Sequence, residues 1–272
     1  MRYIKLAFQY MGNKHFWKLM LMMVIPSIAI AHCTKFDTIA YLICKFPDEY
    51  SFKTIFERTS EINWQVLIGL VVLFFVFVLM FSVMIGAIQR HMRTGHFAIT
   101  NIFKRINENF LPVFFTLLTV FLLLFLYGLF INVTILAWWA MTHNLVATYV
   151  MTIFFMVALY LLLMWLFTAF FLVCPNMVTT GQSLSDSVSF SVRVSRSKRR
   201  KIFWAIALPV TVLMSLQFAL VWIPEAVYKV VSVLVTAGIM LFISSYYPVL
   251  MFVTYYDVND KDREDLLPVN RL

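Results

Sequence analysis

Residues 64–88 read WQVLIGLVVLFFVFVLMFSVMIGAI, 25 consecutive positions without a charged side chain. The hydrocarbon core of a bilayer is about 30 Å thick, and a helix needs roughly 20 apolar residues to cross it. A strand in that environment would leave backbone groups unpaired. The segment is therefore predicted to be a transmembrane α-helix.

The composition of the whole chain agrees with this one segment. Of 272 residues, 62% are hydrophobic and 13% are charged, and the mean hydropathy is +0.86. Soluble domains average about 45–50% apolar and about 25% charged residues. These departures exclude a soluble globular domain, a disordered chain and a nucleic-acid binder. Three cysteines also exclude a disulfide scaffold.

Five further apolar segments predict that residues 1–272 form one all-α integral membrane domain. It has six transmembrane helices arranged as three hairpins. The predicted spans are approximately residues 16–31, 64–88, 110–139, 145–174, 203–223 and 230–256. Residues 32–63 are predicted to form a small helical cap on the outer side, where Cys33 and Cys44 either pair or remain free thiols.

Lysine and arginine are distributed unevenly about these spans. The two tails and the segments after the second and fourth spans hold 17 of the 22, which leaves 5 for the other side. Positive residues concentrate in the cytoplasmic segments of membrane proteins. The chain is therefore predicted to place both termini inside, and its net charge of +9 indicates contact with anionic lipid.

Three inner segments are predicted to be amphipathic helices lying in the membrane interface, at residues 2–13, 97–109 and 183–201. The first has an apolar stripe of Ile4, Ala7, Phe8 and Met11. The second has a stripe of Ile99, Ile102, Phe103, Ile106 and Phe110.

The third inner segment has two conflicting periodicities. Val188, Phe190, Val192 and Val194 alternate strictly, which is typical of a strand, whereas Leu184, Val188 and Val192 have helical spacing. Ser183 and Asp186 match a capping box. A helix is favoured, because an isolated strand at a membrane surface would have open edges.

Each inner segment is followed by polar or basic residues and then by an aromatic start to a pair of spans. Two explanations remain open. The pattern is either a threefold internal repeat or the common demand of the interface for basic and aromatic anchors.

The sequence Ser183–Val194, SLSDSVSFSVRV, is followed by the basic cluster Arg196–Lys201. Together they resemble the inner loop of bacterial multi-span proteins of the glycerophosphoryl diester phosphodiesterase membrane-domain type. The resemblance covers this loop and the general layout, and it implies a location in a bacterial plasma membrane. It does not imply phosphodiesterase activity, because the catalytic domain of that family is a separate soluble module.

Residues that carry chemistry are scarce in the predicted spans. The span centres contain no Asp, Glu, Lys, Arg or His, which weighs against a proton-coupled transporter. The five histidines form no zinc motif, and no glycine-rich phosphate loop occurs. We therefore predict no catalytic residue, metal or cofactor, and expect His91 and His96 to contact headgroups or solvent.

Two sets of residues remain as candidate sites. The first is predicted to bind anionic lipid or an acidic protein and comprises Arg90, Arg93, Lys104, Arg105, Arg193, Arg196, Lys198, Arg199, Arg200 and Lys201. The second either lines a cavity or forms bonds between helices, and comprises Thr211, Ser215, Gln217, Ser244, Ser245 and Tyr246.

These observations predict a non-enzymatic plasma-membrane protein, acting as an assembly factor or as a membrane-embedded partner subunit. The alternative is a conduit or flippase-like transporter for a lipid or another hydrophobic solute.

Overall fold

The computed structural model describes residues 2–14, 16–33, 64–97, 102–220, 222–223 and 225–259. Every regular element in these ranges is an α-helix. The helices are α1 (Arg2–Met11), α2 (Phe16–Cys33), α3 (Trp64–Thr94), α4 (Ile102–Thr142), α5 (Leu145–Phe170), α6 (Val173–Thr180), α7 (Leu184–Leu220) and α8 (Glu225–Val258). The predicted outer cap and the Cys33–Cys44 pair lie outside the described residues and side chains.

Four stretches of these helices are long and apolar enough to cross a membrane: Val71–Thr94, Ile102–Thr142, Val146–Thr180 and Val230–Val258. Helices α1 and α2 pass the same test as one unit, bent by 90°, which raises the number to five. The all-helical prediction is thus confirmed for the described residues, with four to five stretches long and apolar enough to span a membrane. The apolar half of α7, where the fifth span is predicted, does not count among these four or five.

The long helices follow one another around the bundle in chain order. Helix α3 packs between α2 and α4, α5 packs between α4 and α7, and α8 packs between α7 and α2. The last long helix therefore lies beside the first, and the six long helices that the structure describes form a closed ring. The short helices lie at one end of the ring, with α1 against α8 and α6 against α7 and α4.

Two of the three inner segments differ from the prediction. Helix α4 begins at Ile102 and α7 at Leu184, and each continues without a break into its apolar half. The basic run of α7 consists of good helix formers, so nothing there ends the helix. Only the first segment forms a separate helix, because the chain turns at Gly12 and Asn13 before α2.

The apolar stripe predicted for α1 also differs from the face that is buried. Tyr3, Ala7 and Tyr10 are buried, whereas Phe8 is 47% exposed. Helix α1 packs on α8 and uses the two tyrosines for polar contacts, as described below. Its contact face is therefore rotated from the purely apolar one.

The prediction of a helix in the third inner segment is confirmed. The Ser183 hydroxyl lies 2.6 Å from Oδ2 of Asp186 and accepts a hydrogen bond from the Asp186 backbone N–H at 3.3 Å. This side chain therefore satisfies one of the donors left open at the helix start. The preceding helix, α6, ends at Gly181, which adopts φ +70°, a conformation that favours glycine.

Candidate functional site

Asp257 joins three helices at the end of the ring where α1 lies. Its carboxylate accepts hydrogen bonds from Lys198 of α7 at 3.0 Å and from the Tyr3 hydroxyl of α1 at 2.8 Å. Arg2 forms a third contact with it at 3.1 Å. These bonds bring the amino-terminal segment, the basic cluster and the end of α8 to the same place.

Tyr3 is the neutral donor of this group. Burial, followed by the hydrogen bond with Asp257, raises the pKa of the Tyr3 phenol well above its ordinary value. The phenol therefore stays protonated and donates to the carboxylate. Helix α1 has only 10 residues and is too short to cross a bilayer alone. The hydrogen bond from Tyr3 to Asp257 holds it against the end of the bundle.

His91 forms a second connection between α1 and the rest of the protein. Its Nδ1 lies 2.9 Å from the hydroxyl of Tyr10, and the side chain is only 6% exposed. The expectation that His91 contacts headgroups or solvent is therefore wrong. The reason is that α1 folds back over the end of α3, whereas His96 is exposed as predicted.

A row of buried serines attaches α7 to the break between α5 and α6. Pro175 has no N–H to donate to the carbonyl of Phe171, which helps to end α5. Ser191 bridges the gap by donating to the Ala169 carbonyl at 2.6 Å and accepting from Leu172 N–H at 3.1 Å. Ser187 and Ser195, one turn away on either side, are also buried.

The alternating valines of this segment are evident in the sequence, whereas the role of its serines was not predicted. The missed signal was small polar residues spaced four apart, which allow helices to approach closely and bond to one another. Asn176 of α6 was also missed. It is buried and donates to the Ser187 hydroxyl at 3.1 Å and to the Gln182 side chain at 2.8 Å.

Arg105 is not a surface residue, which corrects its place among the lipid- or partner-binding candidates. It is 7% exposed, while Phe103 of the predicted apolar stripe is 88% exposed. Helices α3 and α4 approach closely at Gly86, where a Cβ atom would lie 2.6 Å from the Asn109 side chain. The absence of a side chain there makes room for Arg105 and Asn109, so the polar face of α4 points inward.

The remaining cations of α7 lie on one exposed face. Arg193, Arg196 and Arg200 are exposed in successive turns, and Trp204 and Leu208 follow on the same face. A sequence of cations, tryptophan and then aliphatic residues is typical of a helix that passes from the headgroup region into hydrocarbon. Arg90, Arg93 and Lys104 are also exposed on the helices nearby.

A pocket of about 460 Å³ lies against this face, lined by Trp165 of α5 and by residues 196–201 of α7. The guanidinium of Arg199 lies 4.2 Å from the centre of the Trp165 ring. Arg199 also donates to Thr168 Oγ1 at 3.1 Å and to the Trp165 carbonyl at 3.0 Å. The predicted basic cluster thus divides into Lys198 and Arg199, which join helices, and the exposed side chains around them.

Four of the five hydroxyls predicted to line a cavity make bonds within or between helices, whereas Ser245 Oγ has no hydrogen-bond partner among the described residues. Tyr246 donates to the Ala205 carbonyl at 2.9 Å, which ties α8 to α7. Thr211 and Ser215 are exposed and donate to carbonyls of their own helix. Ser244 does the same, and Ser245 is fully buried. The side chain of Gln217 lies outside the described ones.

Among the described residues, no group of three or more His, Cys, Asp or Glu side chains is arranged to hold a metal. Cys174 is buried. No protein-family model, curated protein or solved structure matches this chain. The end of the bundle where Arg2 and Lys198 meet Asp257 is called the basic end below. The fold and the basic end define the class of this protein as all-helical and compatible with a multi-pass membrane location.

Proposed function

We propose that the protein is a six-span plasma-membrane protein of a bacterium with both termini in the cytoplasm. The contacts at the basic end support this topology. Arg2 of α1 and Lys198 of α7 meet at the carboxylate of Asp257. His91 of α3 contacts Tyr10, which also belongs to α1. The segments predicted to be inside therefore lie together, as expected if all of them are on the cytoplasmic side, where positive residues concentrate.

The protein acts by binding, as a membrane-embedded partner subunit or an assembly factor. The observation that carries this proposal is the exposed basic face of α7. Lys198 and Arg199 are held by other helices, whereas Arg193, Arg196 and Arg200 point outward. A helix face with this charge attracts anionic headgroups or an acidic partner at the inner surface.

A second surface suits a partner within the membrane. The outer parts of α4 and α5 expose large apolar side chains, among them Phe121, Phe125, Phe130 and Phe154. Lipid tails or the helices of a partner subunit cover such side chains equally well, because both are apolar. The two surfaces together fit a subunit that is recognised by its shape in the membrane and by its charge at the surface.

Cysteine labelling tests the topology. In a background in which Cys33, Cys44 and Cys174 are replaced by Ser, single cysteines are introduced as Arg196→Cys and Trp222→Cys, both at exposed positions. A maleimide that cannot cross membranes should label Trp222→Cys in intact cells and Arg196→Cys only in inverted vesicles. Labelling of Arg196→Cys from outside intact cells would overturn the proposed arrangement.

Purification from native membranes in mild detergent tests the binding role. We expect a stoichiometric partner to co-purify with the wild-type protein and to be reduced when Arg193, Arg196 and Arg200 are changed to Gln. The matched control changes Lys5, Lys14 and Lys18 to Gln, which removes the same charge from exposed positions in α1, in the turn after it and at the start of α2. Absence of any stoichiometric partner would contradict this role.

A further inference from the structure

The pocket beside Trp165 has an excess of positive charge that the described contacts leave unbalanced. Among the residues that the structure describes, its lining includes Arg196, Arg200 and Lys201, which are exposed, and no carboxylate. Lys198 is the lining cation that is paired with an acid, through Asp257. Three cations on adjacent turns attract an anion more strongly than one surface cation would, because their fields add in the partly enclosed space.

One wall of the pocket is fixed in advance. Arg199 lies over the Trp165 ring at 4.2 Å and is bonded to Thr168 and to the Trp165 carbonyl. Its guanidinium thus loses little conformational freedom when a ligand arrives, which lowers the cost of binding. Guanidinium groups have a planar array of donors that matches the oxygens of a phosphate.

The surface next to the pocket is apolar. Trp165 is exposed, and Leu161 and Leu162 are exposed one turn earlier on the same helix. Phe203 of α7 also packs against the Trp165 ring, with the two ring centroids 5.8 Å apart. A ligand in this position would have its anionic group among the arginines and a hydrocarbon portion along α5.

We propose that this pocket is a binding site for an anionic glycerophospholipid. The phosphate lies among Arg196, Arg200 and Lys201, and an acyl chain follows the exposed strip from Trp165 to Leu161. The site rests on the proposed function in one respect, namely that this end of the bundle lies at the membrane interface.

The test measures lipid binding to the purified full-length protein in uncharged detergent. Native mass spectrometry follows a titration with dioleoylphosphatidylglycerol, and dioleoylphosphatidylcholine serves as the zwitterionic comparison. We expect one phosphatidylglycerol to bind saturably, and the variant Arg196→Gln/Arg200→Gln/Lys201→Gln to bind it at least about tenfold more weakly, since several charge-assisted bonds are lost. The control Lys5→Gln/Lys14→Gln/Lys18→Gln should change the affinity less than about threefold, because these exposed lysines do not line the pocket and salt screens their charges.

Each other outcome would overturn the site. Equal weakening in both triple variants would mean diffuse attraction to a cationic protein, and equal binding of phosphatidylcholine would mean that no anion is recognised. Displacement of the lipid by an equal concentration of glycerol 3-phosphate would show that the site recognises a water-soluble phosphate compound and not a lipid. A detergent micelle does not separate a cytoplasmic from an external side, and the purified sample contains no partner protein. The result of this test therefore does not depend on whether the proposed topology or the proposed partner is correct.

Discussion

The basic end of the bundle and the outer part of the α4–α5 hairpin are built in opposite ways. Half of the most apolar 18-residue stretch of α3 is buried inside the protein, against 6% of the corresponding stretches of α4 and α5. Side chains from α1, α2, α3, α6, α7 and α8, with Val113 of α4, form one core, and hydrogen bonds join several of these helices at the basic end. In the hairpin, a separate small cluster forms around Ile131 and Ile135.

The difference indicates what kind of surroundings suits each region. The basic end is packed by protein and therefore depends on the fit of individual side chains. The hairpin leaves its large apolar residues to the surroundings, which suits lipid or another membrane helix. Substitutions of the same kind should thus have large effects in the first region and small effects in the second.

The largest contrast is expected between two phenylalanines. Phe171 is fully buried and contacts Phe167 and Tyr247, whereas Phe125 is 50% exposed on the hairpin. Phe171→Ala should lower the free energy of unfolding by about 3 kcal/mol, because it leaves a cavity. Phe125→Ala should change it little. Unfolding of both variants by SDS in mixed micelles measures the difference, and similar losses would refute the contrast between the regions.

Removal of the Asp257 carboxylate should have the next largest effect. Asp257→Ala removes contacts to Arg2, Tyr3 and Lys198, and we expect a loss of about 2 kcal/mol because Lys198 is left half-buried without its acid. Helix α1 should also detach from α8, which protease digestion of the amino terminus would detect. Tyr3→Phe removes one hydrogen bond and keeps the charges, so it should cost less than half as much. Unchanged protection of α1 in Asp257→Ala would show that this carboxylate does not hold it.

Loss of the Ser191 hydroxyl should have a smaller effect. Ser191→Ala leaves the Leu172 N–H and the Ala169 carbonyl without the bonds they make in the native protein, at a cost of about 1–2 kcal/mol. The control is Ser197→Ala, an exposed serine of the same helix that bonds to the Val194 carbonyl. Equal stability of the two variants would indicate that the break between α5 and α6 does not depend on Ser191.

The smallest effect is expected from a pair of glycines. Alanine is the better helix former by up to about 1 kcal/mol, so Gly128→Ala should be neutral or stabilising, since a Cβ there meets nothing within 4 Å. Gly86→Ala should lose this gain, because the new Cβ presses on the Asn109 side chain. Thermal unfolding in detergent should place the two variants about 1 kcal/mol apart. A stabilised Gly86→Ala would show that α3 and α4 can separate without cost.

The long apolar helices were predictable because their signal is local. A run such as residues 64–88 is apolar in every direction, and its length alone predicts a span. The helical start of α7 was likewise predictable from its capping residues and from the instability of an isolated strand. Neither inference needed to know which other helix the segment contacts.

The inward faces were not predictable in the same way. In water an apolar stripe marks the buried face, but in a bilayer an apolar stripe faces lipid as readily as protein. Phe103 is therefore exposed while Arg105 and Asn109 lie inside, and the basic cluster contains both structural and exposed cations. The buried position of His91 depends on the fold-back of α1, a contact between residues 81 positions apart that no local pattern contains.

The closure of the ring has a consequence for how the protein is made. Tyr3 and Asp257 are 254 positions apart in the chain, and α8 lies against α2. The amino-terminal helices are synthesised first, so the surface with which they contact α8, the last long helix described, stays uncovered until α8 has been made. A chain that stops early would thus display an unclosed bundle, which offers cellular proteases a direct means of distinguishing unfinished copies from complete ones.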